Sequence, residues 1–380
     1  MDIRDSVTEL PVGGLEMADK PKRLGIMTGG GDCPGLNAVI RAVAKPAILS
    51  GIEVVGIEDG YLGLIEDRMR RLSYNDVSNI LTVGGTILGS SNKADPSNYA
   101  VPDGLGGWTK KDVRKQVVEH ATEAGLDAIV VVGGDGTMSG AAKLIELGLQ
   151  LVGVPKTIDN DLWATDVTFG HDTAVTTAAE ALDKVHDTAS SHHRVMIVEL
   201  MGRYAGWLPL HAGVSAGADV ILIPEVLFDL DKVAEICVER SKHGKKFTII
   251  AAGEGAVPIG GDRFVNHVDD SSPDPIRLGG VAKYVSDGIS NKTGLDCRSM
   301  VLGHIQRGGT PTPYDRLLAT RFAYHAFELV LSGRFGRMVA MKNGELKSVP
   351  IIEVAGKVRT VPLDYSLLRA ARALRTSFGD

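Results

Sequence analysis

Cysteine is scarce in this chain: three residues, Cys33, Cys237 and Cys297, stand far apart in 380 positions. An odd and widely spaced set supplies neither a disulfide framework nor paired zinc ligands, and it fits a reducing compartment. Long apolar runs are missing too, since none approaches the roughly 18 residues of a membrane-spanning helix. The first residues show no basic region followed by an apolar core, so a soluble, cytoplasmic protein is expected. Charge of one sign is also lacking: 41 Lys and Arg stand against 47 Asp and Glu, a net charge of -6 with both signs mixed along the chain. That balance leaves no basic footprint for nucleic acid and no polybasic stretch for a membrane. No Gly-Lys-Ser/Thr follows a glycine loop at the spacing of a P-loop, which excludes that particular phosphate cradle.

Glycine, by contrast, is plentiful, with 46 residues, about 12 % of the chain against a usual ~7 %. The glycines gather where apolar runs stop. RLGIMT breaks into GGGDCPGLN, DAIVVVGGDGT breaks around Asp135, and LVGVP runs into KTIDNDL from Lys156 to Leu162. A buried parallel strand ending in small and acidic residues predicts ligand contacts at its carboxyl end. A strand that breaks into glycines at the start of a helix aims backbone N–H groups at an anion. Asp135 and the pair Asp159 and Asp161 are therefore expected to face one another across a crevice.

Strands alternate with helices of about 10–15 residues along most of the chain, the pattern of a parallel, doubly wound sheet. The length suggests two domains at roughly 150 residues each. Residues 1–22 lack periodicity and are read as an arm. A helix is expected before GGTILGSS, a loop insertion over 96–108, a polar insertion over 257–280, and a last helix from Tyr314 to Ser332 before a tail with one or two short strands. His171 and His186 fall on a helix, and His192 and His193 lack metal-ligand spacing, so none of these is given a catalytic role.

Taken together, GGGDCPGLNAVIR, DGYLGL, GGTILGSS, GGDGT, PKTIDNDL, SSHHR, ELMGRYAGW, IPE, LGHIQRGG and PYDR occur in the order and spacing of the 6-phosphofructokinase family. The chain resembles that family from Arg23 to about Arg337. The resemblance implies an α/β fold of two Rossmann-like three-layer domains with mostly parallel sheets and an active site in the cleft between them. A donor domain would comprise 23–170 plus about 306–356, and a sugar-phosphate domain 171–305 plus about 357–380. It further implies that Asp159 takes the proton of the sugar 1-hydroxyl, with Thr157 and Ile158 beside it, and that Asp135 serves Mg²⁺. Arg203, shaped by Met201 and Gly202, would reach the transferring phosphoryl group. His304, Ile305, Gln306 and Arg307 resemble the 6-phosphate clamp, and Glu254 matches an acceptor for sugar hydroxyls. Arg194 and Arg298 match positions supplied by a neighbouring subunit, so a homo-oligomer is expected, a homotetramer with a dimer as the alternative. A planar guanidinium grips phosphate oxygens in pairs, which lysine cannot reproduce.

Members of the family divide by phosphoryl donor, and this sequence mixes the marks of both groups. Gly136 leaves space for a nucleotide α-phosphate, whereas Lys156 stands where pyrophosphate users carry lysine. ATP is the expected donor, with pyrophosphate as the alternative, and fructose 6-phosphate is the expected acceptor, with a seven-carbon ketose phosphate as its alternative. A catalytically silent, sugar-phosphate-binding regulatory subunit is the remaining reading, against which Asp159, Asp135 and Arg203 all stand intact. The donor would rest on Gly31, Asn92, Lys93, Gly134, Asp135, Gly136, Thr137 and Lys156. Arg41 matches an effector-site arginine, but Lys45 and His186 depart from that pattern, and Lys245 and Lys246 are open between an effector site and a solvated strand start.

Overall fold

The computed structural model describes residues 21–104, 106–244 and 246–380. Almost all of the expected arm, and Lys245, lie outside the described residues. Two separate sheets organise the chain. The larger has seven strands in the order Glu345–Pro350, Arg337–Lys342, Leu151–Pro155, Ala128–Gly133, Arg23–Thr28, Glu53–Ile57 and Met69–Leu72. Its five central strands run parallel and the two edge strands antiparallel. Strands such as AIVVVG and LVGVP are buried along their whole length, because helices cover both faces of the sheet. The helices Leu36–Leu49 and Pro313–Leu331 close one face, and Asp135–Ile145 with Arg114–Glu123 closes the other.

The smaller sheet has four parallel strands in the order Cys297–Val301, Val195–Leu200, Thr248–Gly253 and Val220–Leu222. It too has a core on each face, one under helices His171–His192, Trp207–Ser215 and Ser366–Ala373, the other under Leu230–Lys242 and Val281–Thr293. The fold is thus α/β, with two mostly parallel three-layer units. Among the described residues no helix is long and apolar enough to cross a membrane.

Four expectations need correction. Ala128–Gly133 and Leu151–Pro155 are neighbours in one sheet, with Gly133 opposite Pro155, so Asp135 and Asp159 lie side by side and what faces them comes from the smaller sheet. No helix forms between the strand Met69–Leu72 and Gly84; Asp76 accepts hydrogen bonds from the Ser73 N–H and hydroxyl, the local turn bonding by which Ser and Asp compete with helix. The 96–108 stretch is not a plain loop, because Tyr99–Pro102 pairs antiparallel with Trp108–Lys111. The C-terminal tail holds a further helix, Ser366–Ala373, anchored through Leu368 and Ala371.

Candidate active site

Adjacent strands Arg23–Thr28 and Ala128–Gly133 lead their chains away in opposite directions across the larger sheet, which makes their carboxyl ends the topological switch point where such sheets take ligands. The glycine loop and GGDGT meet there. Gly29 N–H donates to the Val132 carbonyl at 2.8 Å, and the buried Lys156 ammonium donates to the Gly31 carbonyl. Burial pushes the Lys156 pKa down. Gly134 precedes the helix Asp135–Ile145 without any side-chain cap, and Thr137 is buried in its first turn. A Cβ on Gly136 would meet nothing within 4 Å. Open space therefore lies beside the uncapped N–H groups of a helix start, where a phosphate is favoured.

The base turn follows Pro155. Thr157 Oγ1 accepts from the Asp159 N–H at 3.0 Å and lies 3.4 Å from Asp159 Oδ2. Asp159 is buried, at 5 % exposure, and its Oδ1 has no hydrogen-bond partner. An unpartnered buried carboxylate oxygen is costly unless a ligand completes it. Asp161 is buried beside it; desolvation, then the charges of Asp159 and Asp135, push its carboxyl up to about 8. Among the described residues no three metal-ligating side chains converge. A hard cation bound to a polyphosphate uses one or two carboxylates and keeps waters, and Asp135 with Asp161 fits that donor set.

The smaller sheet delivers its residues from its own carboxyl ends. Met201, Gly202 and Arg203 follow Val195–Leu200, Glu254 follows Thr248–Gly253, and the 3₁₀ turn Gly303–Arg307 follows Cys297–Val301. Arg203 adopts φ 50°, an uncommon conformation for a side-chain-bearing residue, and its N–H donates to Glu254 Oε1 at 3.1 Å. Glycine is required beside it, because a Cβ on Gly255 would lie 1.8 Å from the Arg203 carbonyl. Burial opposes the Arg203 charge, but Asp274, Asp159 and Asp135 outweigh it and push its pKa up. Burial, followed by Asp159, pushes Glu254 up to about 7. Gln306 accepts from the Met201 N–H at 3.3 Å. Arg307 crosses to the glycine loop and donates to the Asp32 carbonyl at 3.1 Å. Its guanidinium lies against Gly31, where a Cβ would come within 2.5 Å of Nη1.

Two expected phosphate ligands lie elsewhere. Arg194 precedes its strand and Arg298 is the second residue of the next, so both sit at the amino end of the smaller sheet, sharing the carboxylate of Asp296. Arg203 is a strand length away, roughly 20 Å at the usual rise. His304 and Ile305 are exposed, as is Asn92, while Lys93 reaches Asp269 Oδ2 at 3.2 Å and Ser271 Oγ at 2.8 Å. Sequence reasoning missed Asp274, His171, His211 and Arg359. The first pairs with Arg203 and His171 and Arg359 bond the base turn, yet none falls in a motif with a chemical signature.

Comparison with known proteins gives the following. The Phosphofructokinase family profile matches residues 23–330. ATP-dependent 6-phosphofructokinase 2 of Clostridium perfringens is 48% identical over 361 residues, 94% of this chain and 99% of its own. The pyrophosphate–fructose 6-phosphate 1-phosphotransferase of Amycolatopsis mediterranei is 47% identical over 343 residues, 90% of this chain and 97% of its own. Among solved structures, Pichia pastoris phosphofructokinase in the T-state superposes with a TM-score of 0.75 at 31% identity, covering 92% of this chain and 37% of that longer chain.

Proposed function

Because this chain belongs to the phosphofructokinase family, we propose that it transfers the γ-phosphoryl group of ATP to the 1-hydroxyl of fructose 6-phosphate, giving fructose 1,6-bisphosphate. One observation carries the choice of donor: the α-carbon of Gly136 faces open space at an uncapped helix start, room that an α-phosphate needs and pyrophosphate does not.

In this reading the Asp159 carboxylate accepts the proton as the 1-hydroxyl oxygen attacks the γ-phosphorus and the bond to the bridging oxygen breaks, releasing ADP. Its unpartnered Oδ1 is the oxygen free to take that proton. Thr157 holds the turn from below. The guanidinium of Arg203 balances charge on the transferring group, the kind of stabilisation on which phosphoryl transfer depends. Glu254, a neutral acid below about pH 7, can donate or accept a hydrogen bond at a sugar hydroxyl. Asp135, with Asp161 nearby, would hold Mg²⁺, which would supply charge neutralisation at the polyphosphate. Gly31, Gly134, Thr137, Lys156, Asn92 and Lys93 are assigned to the donor, and Met201, Gly202, Ile305 and Gln306 to shaping the sugar pocket. His304 and Arg307 are assigned to the 6-phosphate, together with Arg194 and Arg298 of a neighbouring subunit in a symmetric oligomer, proposed as a tetramer. The larger sheet is then the donor unit, the smaller the sugar unit, and a cytoplasmic location goes with both substrates.

A second reading takes pyrophosphate as donor. It is favoured by the buried ammonium of Lys156 at the glycine loop and by the similarity to the Amycolatopsis enzyme. A coupled assay with saturating fructose 6-phosphate and either donor separates the two: kcat/KM is expected to favour ATP, and a preference for pyrophosphate would reverse the assignment.

A further inference from the structure

The turn that carries Asp159 is held by its carbonyls. The Thr168 hydroxyl donates to the Thr157 carbonyl at 2.8 Å. His171 Nδ1 lies 2.6 Å from the Ile158 carbonyl. Arg359 donates twice, from Nη2 to the Asn160 carbonyl at 2.6 Å and from its backbone N–H to the Asp161 carbonyl at 2.6 Å. Four of the five carbonyls from Thr157 to Asp161 are therefore fixed, the exception being that of Asp159 itself.

Two of these holders, His171 and Arg359, are themselves held, and by one helix. The Arg359 guanidinium stacks 4.0 Å from the ring centre of Trp207, and Trp207 Nε1–H donates to the Arg359 carbonyl at 2.8 Å. Four residues on, His211 Nδ1 lies 2.8 Å from His171 Nε2. A carbonyl can only accept, so His171 carries its proton on Nδ1 and its Nε2 accepts from His211. Burial, then His211, pushes His171 down to about 3, so this neutral tautomer persists at working pH. The helix that carries Trp207 and His211, Trp207–Ser215, begins just after the Arg203 turn. Val361 and Gly206 both donate to Glu225 Oε1, at 2.8 and 2.9 Å, which fastens the Arg359 segment to the start of that helix.

We propose that Arg359, with His171, is a positioning residue for phosphoryl transfer: through the helix Trp207–Ser215 it sets the base turn of the larger sheet in register with the Arg203 turn of the smaller one. The inference rests on Asp159 being the base. Arg359 touches neither substrate in this account, so its effect falls on the alignment of reacting groups, where displacements of about 1 Å cost up to 10²-fold in rate.

The test uses the full-length chain in the coupled assay, with Arg359→Ala, Arg359→Gln and Asp159→Ser side by side. Arg359→Ala is expected to lower kcat at least tenfold while both KM values stay within about threefold. Guanidinium at tens of millimolar should restore part of kcat, and ammonium at the same concentration should not. Arg359→Gln, which keeps a planar donor beside Trp207, should lose less, and it decides the matter if the alanine variant does not fold. A wild-type kcat in a folded Arg359 variant, or a loss of rate that tracks only loss of folded protein and resists guanidinium, overturns the inference while Asp159→Ser remains inactive. If Asp159→Ser turns over normally, the base assignment falls and the inference falls with it.

Discussion

The guanidinium of Arg203 is closed onto the carboxylate of Asp274 at 2.6 Å. Asp274 lies in the stretch between the antiparallel strands Val265–Val268 and Ile276–Leu278. The same stretch sends Asp269 to Lys93 and offers the Asp270 carbonyl to Lys110 at 3.0 Å. It thus ties its own hairpin to the Lys93 loop and to the hairpin strand Trp108–Lys111, and two cations assigned to phosphate each already carry a carboxylate.

In the proposed reading a ligand phosphate has to displace Asp274 from Arg203. Both side chains are 36% exposed, so the pair is worth about 1 kcal/mol or less, roughly a fivefold change in an equilibrium constant. Asp274→Asn is expected to lower the KM for the donor by about two- to fivefold with a smaller change in kcat. Steady-state kinetics check this, and a raised KM would mean that Asp274 orients Arg203 and does not compete for it.

Loss of the proposed base has a different signature. Asp159→Ser should reduce kcat by about 10² or more, the range expected for a general base, while sugar-phosphate affinity, measured by titration, changes less. Near-normal turnover would remove Asp159 from the role.

The donor switch depends on room. Gly136 has ordinary helical backbone and nothing within 4 Å of a built Cβ, so Gly136→Asp should fold as the parent does. Its carboxylate would occupy the space of the α-phosphate and repel it, rejecting ATP more than pyrophosphate. The ratio of kcat/KM for the two donors is expected to fall at least tenfold against ATP, and an unchanged ratio would show that Gly136 is not the determinant.

Asp161 makes stability depend on pH. Its folded pKa of about 8 exceeds the ordinary carboxylate value, so above that ordinary value the unfolded chain binds fewer protons than the folded one. Stability of the ligand-free protein is then lost progressively as pH rises from about 4 to 8. Asp161→Asn should raise Tm at pH 8 by about 2–4 °C, what 1 kcal/mol is worth in a domain of moderate size, and the gain should shrink toward pH 4. Thermal melts across that range decide it.

Arg194 and Arg298 lie at the wrong end of the smaller sheet to serve the Arg203 site of their own chain. A mixed oligomer of Asp159→Ser and Arg298→Ala chains, each nearly inactive alone, should regain activity on co-refolding, because some sites then pair an intact Asp159 with an intact Arg298. No recovery in confirmed mixed oligomers would count against a shared site.

The strand ends were legible in the sequence because parallel strands buried on both faces read as continuous apolar runs, such as AIVVVG, and stop abruptly at glycine. The chemistry at those ends, Asp135, Asp159, Arg203 and Glu254, came with the motifs. What escaped notice depends on contacts between distant residues. Arg359 meets Asn160 across 199 positions, and nothing in KVRT announces it. The hairpin around Asp274 is built from VNHV and IRL, strands too short and too exposed to alternate visibly. His171 read as an ordinary helix residue because its partners are a main-chain carbonyl and His211, 40 positions on.

Asp296, at the far end of the smaller sheet, gives Arg194 and Arg298 one shared counter-ion. Two guanidinium groups on neighbouring strands would otherwise repel each other and leave a bare cationic spot on every newly made chain. An unpaired cationic spot attracts polyanions without regard to their identity. With the carboxylate in place the two arginines are paired within their own chain, so any anion that engages them, the phosphate proposed above included, has first to displace Asp296.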